Sequence, residues 1–199
     1  MQIEYEATFP NIDKDEIRER LVKVGAKLIK PEFLQKRRNF KLPKGNEIEG
    51  AWMRVRDEGD RITASLKIVN GNNIEDQKEI CIEVDSFENT ENLFLAMGCV
   101  KKAYQESRRE LWKLDDVEVC IDEWPFLEPF VEIEGESEVA VRNVSEKLGF
   151  DYSKAIFGAV DQQYECKYGI SKKIINNVIP VIAFEGKNPF VKYLEKQNE

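Results

Sequence analysis

The chain has 199 residues, 34% of them charged and 42% hydrophobic, with a net charge of −8. That length suits one domain, and that composition excludes a disordered chain. The acidic total argues against nucleic-acid binding through a broad basic field, and the apolar runs are too short to cross a bilayer as helices.

There is no histidine, and the four cysteines (Cys81, Cys99, Cys120, Cys166) form no CxxC pair. This argues against a thiolate–imidazole zinc site and removes the commonest general base. Any chemistry falls to carboxylates, lysine, arginine, hydroxyls, thiols or a metal ion. The amino end, Met1 to Glu4, is acidic and begins a strand rather than a secretory signal, so a reducing cytoplasm is expected.

Residues 2–9 alternate Ile3, Tyr5, Ala7 and Phe9 against Glu4, Glu6 and Thr8, the period of a strand. Asp13 reads as a helix N-cap with Glu16 three residues on. Ile17, Leu21 and Val24 continue a helical stripe that Gly25 closes. Leu34 to Leu42 is a predicted strand. Gly50 to Asp57 is the next, with Trp52, Arg54 and Arg56 opposite Ala51, Met53 and Val55. A turn at Glu58-Gly59-Asp60 leads to Arg61–Val69, where Ser65 and Lys67 oppose Ala64, Leu66 and Ile68. Asn70-Gly71 is a strong hairpin signal before Gln77–Val84, which sets Glu79, Cys81 and Glu83 opposite its apolar residues. Ser86 caps a second helix ending at Gly98. Val100 to Leu114 is a long strand, with Arg109 on the same parity as Ser107. Two strands then flank a proline-bracketed loop: Val117–Asp122 and Phe130–Glu134. Asp122, Glu132 and Glu134 lie on their polar faces. Ser137 caps a third helix, 138–148. Short helical pieces are predicted at 154–157 and 161–168, and the pattern weakens after 171.

Mostly hairpin-linked strands with three main helices predict an α+β protein with an antiparallel sheet. If the sheet stays open, its polar face is a solvated surface of little consequence. If it closes into a barrel of about eight strands, acids and bases share a narrow interior, where unpaired charge is costly. Such an interior would accept phosphates at Arg and Lys and a hard divalent cation at the carboxylates.

The ordered set of Glu4-x-Glu6, Arg54-x-Arg56, Ser65-Leu66-Lys67, Arg109, Asp122 and Glu132-x-Glu134 resembles the CYTH superfamily of triphosphate tunnel metalloenzymes. Within it, the text from Asp122-Glu123-Trp124-Pro125 to Glu134-Gly135 is similar to the class IV adenylate cyclase-like branch. The resemblance implies a closed eight-stranded antiparallel β-barrel, with helices packed outside, over residues 1–170. Residues 171–199 would be a C-terminal extension on or near the same domain. It implies an enzyme acting on ATP or a polyphosphate-like triphosphate, as a cyclase or a phosphohydrolase, with Mg2+ or Mn2+. Glu4, Glu6, Asp122, Glu132 and Glu134 would hold metal. Arg54, Arg56, Lys67 and Arg109 would hold substrate, and Lys67, Arg109, Glu79 and Glu83 would take part in catalysis. Arg37 and Arg38 point to opposite faces, and Arg37 is read as the one that joins the substrate side. Nucleic acid and membrane are not expected as partners, and a homodimer is compatible with the reading. Two positions depart from the family pattern: Thr8 stands where the motif has lysine, and Ser107 where a basic residue is found. Both remove positive charge from the phosphate side, which keeps a binding module without turnover as the alternative.

Overall fold

The computed structural model describes residues 1–194. Residues 195–199 of the expected extension lie outside this range.

The predicted first strand is two pieces, β1 (Gln2–Ile3) and β2 (Tyr5–Phe9), broken at Glu4. The others are β3 (Lys27–Lys41), β4 (Ala51–Asp57), β5 (Ile62–Val69), β6 (Gln77–Val84), β7 (Val100–Leu114), β8 (Val117–Glu123), β9 (Phe130–Gly135) and β10 (Val181–Ile182). They pair in the order β1-β6-β5-β4-β3-β7-β8-β9-β2, with β10 added in parallel to β7 and every other pair antiparallel. β1 pairs with β6 at one end of this path and β2 with β9 at the other. The break at Glu4 thus lets one strand meet both edges, and the sheet nearly closes into a barrel. The Glu4 N–H donates to the Gln77 carbonyl at 2.9 Å, and the Gln77 side-chain amide donates to the Glu6 carbonyl at 2.9 Å. Counting β1 and β2 as one, the barrel proper has the eight strands expected.

Period-two alternation divides every strand between two environments. The outward residues Ala7, Phe9, Val119, Ile121, Val131 and Ile133 are buried beneath α1 (Lys14–Lys23) and α3 (Glu138–Lys147), which contribute Ile17, Leu21, Val141 and Val144. Each such aliphatic side chain contributes about 1.5–3 kcal/mol when fully buried. Asp13 and Ser137 accept from the first-turn N–H groups of these helices, adding about 1 kcal/mol each. α2 (Phe87–Ala96) lays Phe94 on Phe40, Val55 and Ala64 on the far side of the barrel. α4 (Asp161–Tyr168), α5 (Lys172–Asn177) and α6 (Val191–Leu194) follow. Tyr164, Ile175, Ile182 and Phe190 of this carboxyl-terminal part cluster with Trp124 and Phe130 of the barrel. Among the described residues no helix is long and apolar enough to cross a membrane.

Three local expectations are corrected. β3 begins at Lys27 rather than Leu34. Its first part pairs only with β7, through register shifts around Pro31. A proline is tolerated there because that edge needs no second ladder, and the bulges erase the alternation that would have marked the strand. The helical piece expected at 154–157 is replaced by a single 3-10 turn, Tyr152–Lys154, that gives way to a bridge between Ile156 and Thr8. Asn70-Gly71 does not close a two-residue hairpin. The connection continues through a 3-10 turn at Ile74–Asp76, because Ile74 is drawn into the core, where it is 2% exposed.

Candidate functional site

Inside the barrel runs a cavity of about 1060 Å³, at the upper end of small-molecule sites. Its walls are segregated by charge.

The basic wall comes from β3 and β4, where Arg37 is paired in register with Arg56, and Asn39 with Arg54. Arg37 is 6% exposed and Arg54 7%. Arg54 reaches Glu79 at 2.9 Å, and Arg56 reaches Glu58 at 2.5 Å. Arg37 donates to Gln35 at 2.7 Å and to the Ser107 hydroxyl, and its guanidinium lies 4.4 Å from the Trp124 ring centroid. Among the described residues it has no ion pair with a carboxylate. The Nε atoms of all three arginines are buried without a hydrogen-bond partner. Burial, reinforced by Arg54, lowers Arg56 to about 10. Burial, reinforced by Arg56, Arg54 and Arg109, also lowers Arg37. A guanidinium stays charged in proteins, so these shifts register positive charge with too little to neutralise it.

The acidic wall lies across the cavity, on the break at Glu4, β2 and β9. Glu4, Glu6 and Glu134 each place a carboxylate oxygen within 4.8 Å of the others. Burial, then the neighbouring Glu4, raises Glu6 to about 8 and Glu134 to about 7. Glu132 is raised by burial, then by Glu6 and Asp122. Three oxygen donors with unrelieved repulsion and no sulfur or imidazole suit a hard divalent cation, so the residues present fit magnesium or manganese.

Two cations stand between the walls. The Lys67 ammonium sits 2.7 Å from Glu4, and its pKa is raised because Glu4 and Glu79 outweigh the effect of burial. Arg109 donates from Nε to Asp122 at 2.8 Å and from Nη2 to both Asp122 and Glu132. Glu79 is held at about 2: burial pushes it up, but Lys67 and Arg54 outweigh that.

The cavity thus brings together Glu4, Glu6, Arg37, Arg54, Arg56, Lys67, Glu79, Arg109, Glu132 and Glu134. Two expected residues stand elsewhere. Asp122 is 1% exposed, does not border the cavity, and pairs with Arg109 rather than joining the acid trio. Glu83 is exposed and does not border it either. Its strand has lost its second neighbour by that point, since β1 pairs only with Lys78 and Glu79 of β6. At the two departures, Thr8 is buried on β2, and Ser107 holds the Arg37 guanidinium through its hydroxyl.

Several lining residues escaped sequence reading. Glu58 and Arg61 sit at the β4–β5 turn, where Glu58 takes Arg56 and, at 2.7 Å, Arg61. Glu118 extends the acidic side, opposite Glu134 in the β8–β9 register. Lys102, Lys172 and Lys173 line the same cavity.

No curated protein matches the chain. Among solved structures, the PH1012 protein of Pyrococcus horikoshii is 22% identical, covers 76% of this chain and 93% of its own, and superposes with a TM-score of 0.63. A provisionally assigned adenylate cyclase of Vibrio parahaemolyticus is 8% identical, with 82% and 98% covered and a TM-score of 0.71. A Hippeastrum protein first assigned as an adenylyl cyclase, whose dominant activity is that of a triphosphatase, is 12% identical, with 84% and 97% covered and a TM-score of 0.54. These likenesses establish the tunnel fold. The sequence model of the CYTH domain aligns with residues 2–163, which takes in both charged walls and the seam at Glu4, and the chain therefore belongs to the CYTH domain family.

Proposed function

We propose that the tunnel binds a triphosphate together with a divalent cation and hydrolyses its terminal phosphoryl group. One observation carries this reading: three guanidiniums whose Nε atoms are buried and unpaired share a cavity with three carboxylates within 4.8 Å of one another. A phosphate chain carrying a bound cation relieves both walls at once.

Arg37, Arg54 and Arg56 hold non-bridging phosphate oxygens, each guanidinium presenting its fork of N–H donors. Lys67 and Arg109 stand where charge develops on the transferred group. Glu79, ionised throughout the neutral range, orients Arg54 rather than exchanging protons. Glu4, Glu6 and Glu134 would hold magnesium or manganese, with Glu132 beside them. When bound, the cation supplies Lewis-acid neutralisation of phosphoryl charge. Water adds to the terminal phosphorus, the bridging P–O bond breaks, and orthophosphate leaves the shortened chain with the proton released to solvent. The work is positioning and electrostatics, as phosphoryl transfer requires.

Hydrolysis is the reading adopted because it needs only the charged walls and a water. Cyclisation must also seat a nucleoside, and the aromatic and aliphatic lining at Phe33, Trp52, Leu111 and Trp124 keeps that outcome open to the test. A binding module without turnover is the second reading, favoured by Thr8 and Ser107, whose hydroxyls cannot neutralise charge as an ammonium does. The test is product analysis with tripolyphosphate, thiamine triphosphate and ATP, in magnesium and in manganese. Orthophosphate release supports hydrolysis, and a cyclic nucleotide with pyrophosphate replaces it by cyclisation. Metal-dependent binding without any product establishes the module instead.

A further inference from the structure

Three further lysines line the same cavity as the arginine row, on other elements, and the reading above gives them no work. Lys102 comes from β7, and Lys172 and Lys173 from α5. Lys102 reaches the lumen through a backbone irregularity. On β7 the lumen-facing residues are Gln105, Arg109 and Leu111, while Tyr104 and Glu106 have the opposite parity and hydrogen-bond to each other at 2.9 Å. Lys102 should share the parity of Tyr104. However, β3 and β7 change register between the Arg38–Tyr104 and Phe40–Lys101 pairs, so β7 runs one residue longer than its partner there. A bulge of this kind reverses the alternation and re-aims a side chain. Lys102 consequently turns inward, while Lys101 reaches Glu91 at 3.1 Å.

α5 packs against β7 and brings the other two lysines to the same opening. Among the described residues none of the three forms an ion pair with a carboxylate. The acid that faces them is Asp161, whose carboxylate takes the Asn176 amide at 2.5 Å. The remaining polar lining there is amide, from Gln162, Asn176 and Asn177. Burial, then Lys41, lowers Lys102, as expected of an ammonium short of counter-charge.

We infer that Lys102, Lys172 and Lys173 form a phosphate subsite continuous with the arginine row, so that the tunnel takes a linear chain of more than three phosphoryl groups. The inference rests on the triphosphate reading and extends it. Lysines suit this role: compact charges on flexible stems follow a phosphate chain without demanding one fixed geometry. Two sources share the chemistry, an inorganic polyphosphate and a nucleoside tetraphosphate.

The test is calorimetric titration of the full chain with manganese, using tripolyphosphate, a longer linear polyphosphate and adenosine 5′-tetraphosphate. The wild type is compared with Lys102→Ala and with the double variant Lys172→Ala, Lys173→Ala. The wild type should bind at least one longer chain more tightly than tripolyphosphate. The double variant should lose about tenfold in affinity for that chain, as two charge-assisted contacts go, and leave tripolyphosphate unchanged. Lys102→Ala should act in the same direction, guarding against a variant that merely perturbs α5. Which longer ligand gains identifies the source. Equal affinity for all three ligands, or lysine variants that weaken tripolyphosphate as much as the longer chain, would overturn the inference while the triphosphate reading stands. Failure of the wild type to bind tripolyphosphate would overturn that reading, and this inference with it.

Discussion

Arg37 shows how a buried charge announces a missing partner. Among the described residues it pairs with an amide, a hydroxyl and an indole face but with no carboxylate, and Arg54, Arg56 and Arg109 crowd it in the lumen. Replacing such a residue by an apolar one of similar volume is often neutral or stabilising, whereas any anion that used it is lost. Arg37→Met should therefore leave the melting temperature of the ligand-free protein unchanged or higher and weaken tripolyphosphate at least about tenfold. A large fall in melting temperature with unchanged binding would mean that the arginine is structural. Glu6 makes the mirror case. Its folded pKa of about 8 lies above the ordinary 4.5, so the folded protein keeps a proton that the unfolded chain releases. The sign follows: stability is greatest below about 4.5 and declines as pH rises towards 8. The melting temperature of the metal-free protein should fall between pH 5 and pH 8, and Glu6→Gln should flatten that slope while removing manganese binding. Identical slopes in wild type and variant would contradict the assignment.

At the scale of elements, the seam decides whether the lumen exists. Gln77 is 2% exposed and ties β6 to the first strand through its main chain and its side chain. Gln77→Ala leaves the Glu6 carbonyl without that donor and should cost about 1–3 kcal/mol in denaturant unfolding. It should also weaken metal binding, because Glu4 is the break and Glu6 follows it on β2. No loss in either would show that the seam is held by other contacts. Legibility also divides by element. On β4, β5, β8 and β9 the alternation is unbroken, so parity put Arg54, Arg56, Lys67, Glu132 and Glu134 on the polar faces, and closure of the sheet turns those faces into the lumen. Lys102 could not, because the bulge that turns it inward depends on β3, a partner distant in sequence. Glu58 and Arg61 were hidden by their position in a turn, where parity has no meaning. Lys172 and Lys173 were hidden because α5 is 6 residues long, too short for a helical period to emerge. Asp122 and Glu83 show the converse limit. Each has lumen parity, yet Asp122 is spent on Arg109 and Glu83 lies where β6 has no second neighbour.

Over the whole molecule, outer apolar faces covered by helices leave an inner surface free to carry charge that a solid core could not hold. The aromatic cluster of Trp124, Phe130, Tyr164 and Phe190 fixes the carboxyl-terminal part against the barrel, and hydroxyl bonds of 2.7 Å from Tyr164 to the Pro125 carbonyl and from Tyr168 to the Phe126 carbonyl secure it. Two walls of opposite charge around one lumen make a single demand, that one ligand satisfy both. The most direct test is a crystal grown with manganese and tripolyphosphate, recorded at the manganese absorption edge. An anomalous peak among Glu4, Glu6 and Glu134, with phosphate density against Arg37, Arg54 and Arg56, is the predicted result. Phosphate and manganese bound outside the barrel, with the two walls still facing each other across solvent, would contradict it.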